Sequence, residues 1–294
     1  MTNSLKLLAC LDSPTLARQR QRELQIGVPR AASLGISAVM AANRGYYINQ
    51  AQERVDLSQA IESSCANKMS VPSGATLPEG TTTTHAETLV QVTNETTLGA
   101  ARRLHGAGLK PLALNFANGI NPGGGFMHGA RAQEEVLCRS SALYNTLVGD
   151  EMYEEHRQRI RSDSTDWAVY SPAVPVFRTD DGQNLDAPWL LSFITCAAPY
   201  APTVGQPESG DLLQKRIHRI LEIARAYGYT DLVLGAWGCG AFGNDAGRTA
   251  KDFRQALEGE FRGAFTQIVF AITDWSEERR FLGPFRDVFA GDAL

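Results

Sequence analysis

A chain of 294 residues is long enough for one large domain or two small ones, and a hydrophobic content of 43% can fill a core for either. The net charge of −4 and pI near 5.8 argue against a general nucleic-acid or membrane-surface binder, while leaving room for a local basic patch. Five scattered cysteines without a CxxC, and five histidines without ligand spacing, point to a reduced intracellular protein with no disulfide framework and no structural metal.

The N-terminus carries no secretory signal: a short apolar run over 5–10 is soon interrupted by Asp12, Arg18, Arg20 and Arg22. No apolar run approaches the ~20 residues needed to span a bilayer. A soluble, cytoplasmic protein is therefore expected. Residues 1 to 70 are mostly helical in pattern, with a charged stretch over 18–23 and a small apolar one over 31–42. Pro72, Gly74, Pro78, Gly80 and the threonine run 81–84 mark a loop. This division predicts an N-terminal helical extension, 1–85, packed on a catalytic core, 86–294.

From residue 88 strands and helices alternate. Leu89-Val90-Gln91-Val92 predicts a strand, and 96–105 a helix that Gly106 and Gly108 can end. A short strand over 112–116 runs into the loop Asn118-Gly119-Ile120-Asn121-Pro122-Gly123-Gly124-Gly125. A helix follows over 133–147, with Val136, Ser140, Leu143 and Leu147 on one stripe. Further strands are expected at 167–170, 190–196, 232–236 and 268–272, with helices over 212–227 and 249–257. Asp180-Asp181-Gly182 reads as a hairpin or loop turn. Such alternation implies a largely parallel sheet covered on both faces, with ligands bound beyond the carboxyl ends of its strands.

Two glycine-rich loops fall at that edge. The first holds Gly119, Gly123, Gly124, Gly125 and Gly129; the second is Gly235-Ala236-Trp237-Gly238-Cys239-Gly240-Ala241-Phe242-Gly243. Glycine lets backbone N–H groups approach a ligand closely and form an anion cradle, although either loop could equally be a tight turn. Together they suggest a pincer around a diphosphate. Neither fits a dinucleotide fingerprint or a P-loop, which weakens nicotinamide redox and nucleotide hydrolysis as readings. Phe242 could plug its loop or pack against a sugar or base.

Glu134 and Glu135 open the helix behind the first loop. An isolated pair there would usually serve only the helix macrodipole. Beside a cradle the pair has a second use: successive helical side chains fan ~100° apart, so one carboxyl can face a scissile bond while the other holds a hydroxyl. The two cannot easily straddle a sugar ring, so one residue would act as acid and then as base. The acid must carry its proton; burial and a neighbouring ionised carboxylate favour that form, and the helix N-terminus opposes it. The amide of Asn118 could hold a ribose hydroxyl or form an Asx turn. Asn115 reads as structural. His128 has no acidic partner, and Cys239 no histidine partner, so a small buried thiol is the simpler reading of the cysteine.

The set Asn115-Phe116-Ala117-Asn118, Gly123-Gly124-Gly125, then seven residues on Gln133-Glu134-Glu135, with Trp237-Gly238-Cys239-Gly240-Ala241-Phe242-Gly243, resembles the microbial-type poly(ADP-ribose) glycohydrolases. The likeness extends over about 15–290, through Val92-Thr93-Asn94-Glu95-Thr96-Thr97, Tyr170-Ser171-Pro172, Val174-Pro175-Val176-Phe177-Arg178 and Phe270-Ala271-Ile272. It implies a macrodomain, a three-layer α/β/α fold with a mixed central sheet and an N-terminal helical extension. The implied reaction is hydrolysis of the ribose–ribose O-glycosidic bond of poly(ADP-ribose), releasing ADP-ribose, with no metal or cofactor. By motif, Glu135 would be the acid/base and Glu134 would orient the ribose that Asn118 also contacts. Gly123, Gly124 and Gly125, with Gly238, Cys239, Gly240, Ala241 and Gly243, would hold the diphosphate. Phe242 would lie beside the terminal ribose, Gln133 would join the substrate-binding set, and Glu95 and Thr273 would meet the adenine. Tyr200 stands where the pattern expects Asn. A monomer acting on ADP-ribosylated macromolecules is expected. A mono(ADP-ribosyl) hydrolase could share every motif; a non-catalytic ADP-ribose reader would have no need of the paired carboxylates.

Overall fold

The computed structural model describes residues 4–80 and 84–290. The threonines expected in a loop at 81–83 lie outside the described residues. The strands are β1 (Ser4–Leu7), β2 (Tyr46–Ile48), β3 (Arg54–Asp56), β4 (Met69–Val71), β5 (Glu87–Thr93), β6 (Leu112–Ala117), β7 (Ala168–Arg178), β8 (Asn184–Ala197), β9 (Asp231–Leu234) and β10 (Gln267–Ala271). The helices are α1 (Pro14–Leu24), α2 (Val28–Arg44), α3 (Ser58–Ala66), α4 (Thr97–Gly106), α5 (Gln133–Ser140), α6 (Leu143–Leu147), α7 (Glu151–Arg157), α8 (Ala201–Val204), α9 (Glu208–Ala226), α10 (Ala246–Glu258) and α11 (Leu282–Val288).

Eight strands form one mixed sheet in the order β1-β5-β10-β9-β6-β8-β7-β4. β1 through β8 along that order pair in parallel, whereas β7 and β4 are antiparallel to their neighbours. The strands alternate their faces as the pleat requires. Leu232, Leu234, Ile268 and Phe270 pack with α9, α10 and α11 on one side; Val233, Val269 and Ala271 pack with α2, α4 and α6 on the other. Both faces are thus dry, which explains the near-continuous apolar runs of the central strands.

Three expectations are corrected. The segment before residue 71 is less helical than its pattern suggests: β1 and β4 complete opposite edges of the sheet, and Ala38, Tyr47, Leu57 and Ile61 share a core cluster with Val169, Val176 and Phe177. Strands 167–170 and 190–196 are the inner ends of a long hairpin, β7–β8, turning at Gly182 (φ 91°). Pro172 and Pro175 hid its continuity; the register shifts between Ser171 and Val174, where Pro172 offers the ladder no N–H. The helix read over 133–147 breaks in two at Ser141, which is extended and bridges to Val176. Its hydroxyl donates to Leu137 O (2.7 Å) and accepts from Leu143 N–H (3.2 Å), offering the backbone an alternative to the helical ladder. Among the described residues no single helix is long and apolar enough to cross a membrane.

Candidate active site

The carboxyl ends of β5, β6, β8, β9 and β10 open onto a cavity of about 480 Å³, within the range of small-molecule sites. Glu95, Asn118, Gln133, Glu134, Glu135, Gly238, Gly240, Ala241, Phe242 and Thr273 line it; Gly123, Gly124, Gly125, Cys239 and Gly243 do not. Leu24 of α1, Arg131 and Asp180 close one side, and Trp275 and Phe281 add aromatic surface.

The first glycine loop serves the two carboxylates, which corrects its assignment to the diphosphate. Gly123 N–H donates to Glu134 Oε1 (3.2 Å), Gly125 N–H to Glu135 Oε1 (3.0 Å), and Gly124 N–H to Asn121 O (2.9 Å). None of the three amides remains for a phosphate. Positive φ at Gly123 (72°) and Gly124 (58°) lets the chain turn tightly enough to aim the Gly123 and Gly125 donors at α5.

The second loop behaves differently. The N–H groups of Gly240, Ala241 and Phe242 donate to no protein acceptor among the described residues, while Gly243 N–H closes the turn onto Gly240 O (3.0 Å). Successive uncommitted amides facing a cavity form an anion-binding concavity. Cys239 takes no part in it: its thiol turns inward to Thr249 Oγ1 (3.6 Å), and its N–H is spent on Ala236 O (3.2 Å). Burial pushes that thiol up to about 12, so iodoacetamide near pH 8 should leave Cys239 unlabelled in the native protein, as peptide mass spectrometry would read.

Glu134 is held by three hydrogen bonds. Oε1 accepts from Asn115 Nδ2 (3.2 Å) and Gly123 N–H, and Oε2 accepts from Asn118 N–H (2.7 Å). Burial pushes its carboxyl up to about 8; the donors from Asn118, Asn115 and Gly123 pull it down, and the charge of Glu135 pushes it up again. Between its ordinary 4.5 and about 8 the folded protein therefore holds the proton more tightly than the unfolded chain does, and stability falls as pH rises through that window. The Tm advantage of wild type over Glu134→Gln should accordingly shrink from pH 5 to pH 8; a constant or widening gap would refute the upward shift.

Glu135, one residue on, has a contrasting environment. Its Oε1 is held by Gly125, while Oε2 is buried without a partner among the described residues. No protein group among the described residues competes for that oxygen.

Asn115 is the functional residue that the sequence reading missed. A lone amide in an apolar strand was its signal, and it orients Glu134 while also donating to Thr195 Oγ1 (3.2 Å). Gln133 lines the cavity, but its amide is committed: Oε1 accepts from Phe116 N–H (2.9 Å), and Nε2 donates to Leu114 O (2.7 Å) and Thr97 Oγ1 (3.0 Å). It braces the start of α5 against β6 and α4 and has no donor left for substrate. Asn118 uses Oδ1 to cap Ile120 and Asn121 N–H (3.0 and 2.9 Å), leaving Nδ2 for a ligand. Glu95 pairs with Arg103 (2.6 Å). Tyr200 meets Phe242 edge-on, ring centroids 5.7 Å apart, and so stiffens the second loop. His128 is exposed and lies off the cavity.

Comparison with known proteins is decisive at this point. The crystal structure of poly(ADP-ribose) glycohydrolase from Thermomonospora curvata superposes with a TM-score of 0.84 at 36% identity, covering 88% of this chain and 99% of that one. The chain belongs to the microbial-type poly(ADP-ribose) glycohydrolase family. The model of the family's catalytic domain matches residues 37–179, which include both carboxylates and the triple glycine. The T. curvata enzyme bound to the inhibitor ADP-HPD is 35% identical (TM-score 0.80; 88% of this chain, 98% of that one). The Deinococcus radiodurans enzyme in complex with ADP-ribose is 39% identical (TM-score 0.70; 80% and 98%). No curated protein sequence matches the chain. The mixed sheet between helical layers is the fold shared with these enzymes.

Proposed function

We propose that the protein hydrolyses ribose–ribose O-glycosidic bonds of poly(ADP-ribose) to release ADP-ribose, with Glu135 as general acid and then base. Glu135 lines a cavity whose other loop offers three free amides, and its Oε2 is uncommitted; that combination carries this reading. The family's glycohydrolase activity and the ADP-ribose complex of the D. radiodurans relative support the same substrate class.

In the proposed reaction the amides of Gly240, Ala241 and Phe242 take the diphosphate. The terminal ribose then lies between Phe242 and the Asn118–Glu135 wall. Glu134 Oε2, which accepts one hydrogen bond within the protein, has a lone pair left for a ribose hydroxyl, and Asn118 Nδ2 donates to the same sugar. Protonated Glu135 gives its proton to the bridging oxygen as the C1–O bond breaks, and the electron pair leaves with the remaining polymer. The ribose becomes oxocarbenium-like. The resulting Glu135 carboxylate takes a proton from water as the water oxygen bonds to C1, restoring the acid.

The 1–85 segment is proposed as an extension packed on the 86–294 catalytic core, supplying Leu24 to the cavity wall. The same reading takes the protein as a cytoplasmic monomer acting on ADP-ribosylated macromolecules. The test is ADP-ribose release from purified poly(ADP-ribose), without added metal, beside a singly ADP-ribosylated protein. Release from the polymer is expected. Release from the singly modified substrate alone would make the protein a mono(ADP-ribosyl) hydrolase, and binding without release from either would make it a reader.

A further inference from the structure

We propose that His156 is a positioning residue for this reaction, acting through the Gly119 carbonyl; the inference rests on the glycohydrolase reading above. His156 lies in the last turn of α7, a helix fixed in place at its other end by Asp150. That carboxylate caps Met152 N–H (3.1 Å) and accepts from Lys68 (3.0 Å) and Ser70 (2.9 Å) at β4. The imidazole is 3% exposed, and both ring nitrogens are engaged. Nε2 lies 3.1 Å from Thr165 N and 2.8 Å from Thr165 Oγ1; Nδ1 lies 3.0 Å from Gly119 O. A peptide N–H can only donate, so Nε2 is an acceptor and the single ring proton sits on Nδ1, donating to Gly119 O. Burial pushes the imidazole pKa down, opposed by the Gly119 bond and reinforced by Arg216 and Arg159, in keeping with a neutral ring.

The peptide that this proton grips also holds the Asn118 side chain. The Gly119–Ile120 peptide is held at its oxygen by His156 and at its N–H by Asn118 Oδ1 (3.0 Å). The next carbonyl, Ile120 O, is held by Arg157 Nη1 (2.7 Å). With that peptide fixed, its N–H and that of Asn121 both hold Asn118 Oδ1, which leaves Nδ2 for the ribose. Its backbone N–H stays on Glu134 Oε2 at 2.7 Å. His156 thus reaches Asn118 through one peptide, and Glu134 only through Asn118, and it bonds to neither carboxylate of the site. Gly119 is closely packed on its other side: a Cβ there would sit 2.3 Å from Ser164 Oγ, in the loop that also carries Thr165.

The test compares His156→Asn, His156→Gln and His156→Ala. The amide nitrogen of Asn is attached at the same branch point as Nδ1, whereas that of Gln stands where Nε2 does. His156→Asn should keep kcat on poly(ADP-ribose) within about threefold, and His156→Gln and His156→Ala should lose roughly 10- to 100-fold in kcat, with KM and ADP-ribose Kd nearly constant. Gln is the closer match in volume, so a role as packing alone predicts the opposite order. Equal losses in the Asn and Gln variants, or losses confined to KM and Kd, would overturn the proposal. The imidazole ¹⁵N spectrum of the wild-type protein is a second reading that needs neither turnover nor a folded variant. An Nδ1–H tautomer is expected, and an Nε2–H tautomer would refute the proposal. Absence of ADP-ribose release by wild type, with the Nδ1–H tautomer present, would instead count against the glycohydrolase reading.

Discussion

Glu135→Gln should lower turnover of poly(ADP-ribose) by ~10³-fold or more while leaving the Kd for ADP-ribose within about threefold, because general acid–base transfer alone contributes about 10²–10⁴. The carboxamide keeps the shape of the side chain and an oxygen for Gly125 N–H. Its NH₂ takes the place of Oε2, which meets no donor in the protein, so the substitution adds no repulsion. Only the transferable proton is lost. Glu134→Gln differs in kind: Asn115, Asn118 and Gly123 all donate to that carboxylate, and an NH₂ there must face at least one of them, so a stability cost accompanies the kinetic one. Single-turnover rates with parallel ADP-ribose titrations separate these cases. A matching loss of rate and affinity in Glu135→Gln would mean that the residue shapes the pocket. Retained turnover would move the acid elsewhere, and Asp180 is the next candidate. It lines the same cavity, burial raises its carboxyl to about 6, and its Oδ1 has no partner among the described residues.

What was legible in the sequence depended on whether the cause was local. Apolar runs at 89–92, 112–116 and 268–272 became β5, β6 and β10 because a buried parallel strand needs little more than such a run. The helix read over 96–105 became α4, where the structure adds an N-cap at Thr96: its hydroxyl accepts from Gly99 N–H at 2.9 Å. The motif order located the two carboxylates. Edge strands β1 and β4 escaped because three or four residues carry no periodicity and are strands only through their partners, β5 and β7. Within the site, composition identified two glycine loops but could not assign their amides. Whether an N–H faces a phosphate or a side chain depends on where the next helix begins, and α5 begins close enough for Glu134 and Glu135 to fold back onto Gly123 and Gly125. Gln133 was misread for the same reason: its place in the motif is visible, whereas its bonds to Phe116 and Leu114 of β6 and to Thr97 of α4 join two elements remote in sequence.

That reassignment makes Gly124→Ala the sharpest probe of the first loop. A Cβ at this position would lie 2.3 Å from Glu135 Oε1 and 3.2 Å from Glu134 Oε2, and φ of 58° is a conformation that L residues adopt only at a cost. Relieving the contact moves the Glu135 carboxyl off Gly125 N–H, and the displaced acid no longer meets the bridging oxygen. A misplacement of about 1 Å costs on the order of 10²-fold in rate, so kcat should fall by roughly that factor. Left-handed strain and the weakened hydrogen bond together should lower stability by about 1–3 kcal/mol, readable as a reduced denaturation midpoint. ADP-ribose affinity should change little, because the amides offered to the diphosphate belong to Gly240, Ala241 and Phe242 across the cavity. A cradle at Gly123, Gly124 and Gly125 predicts the reverse, a rise in Kd with kcat at saturation preserved. Isothermal titration with ADP-ribose and steady-state kinetics on the same preparation decide between them. A loss confined to Kd would return the diphosphate to the triple glycine and leave the free amides of the second loop without a ligand.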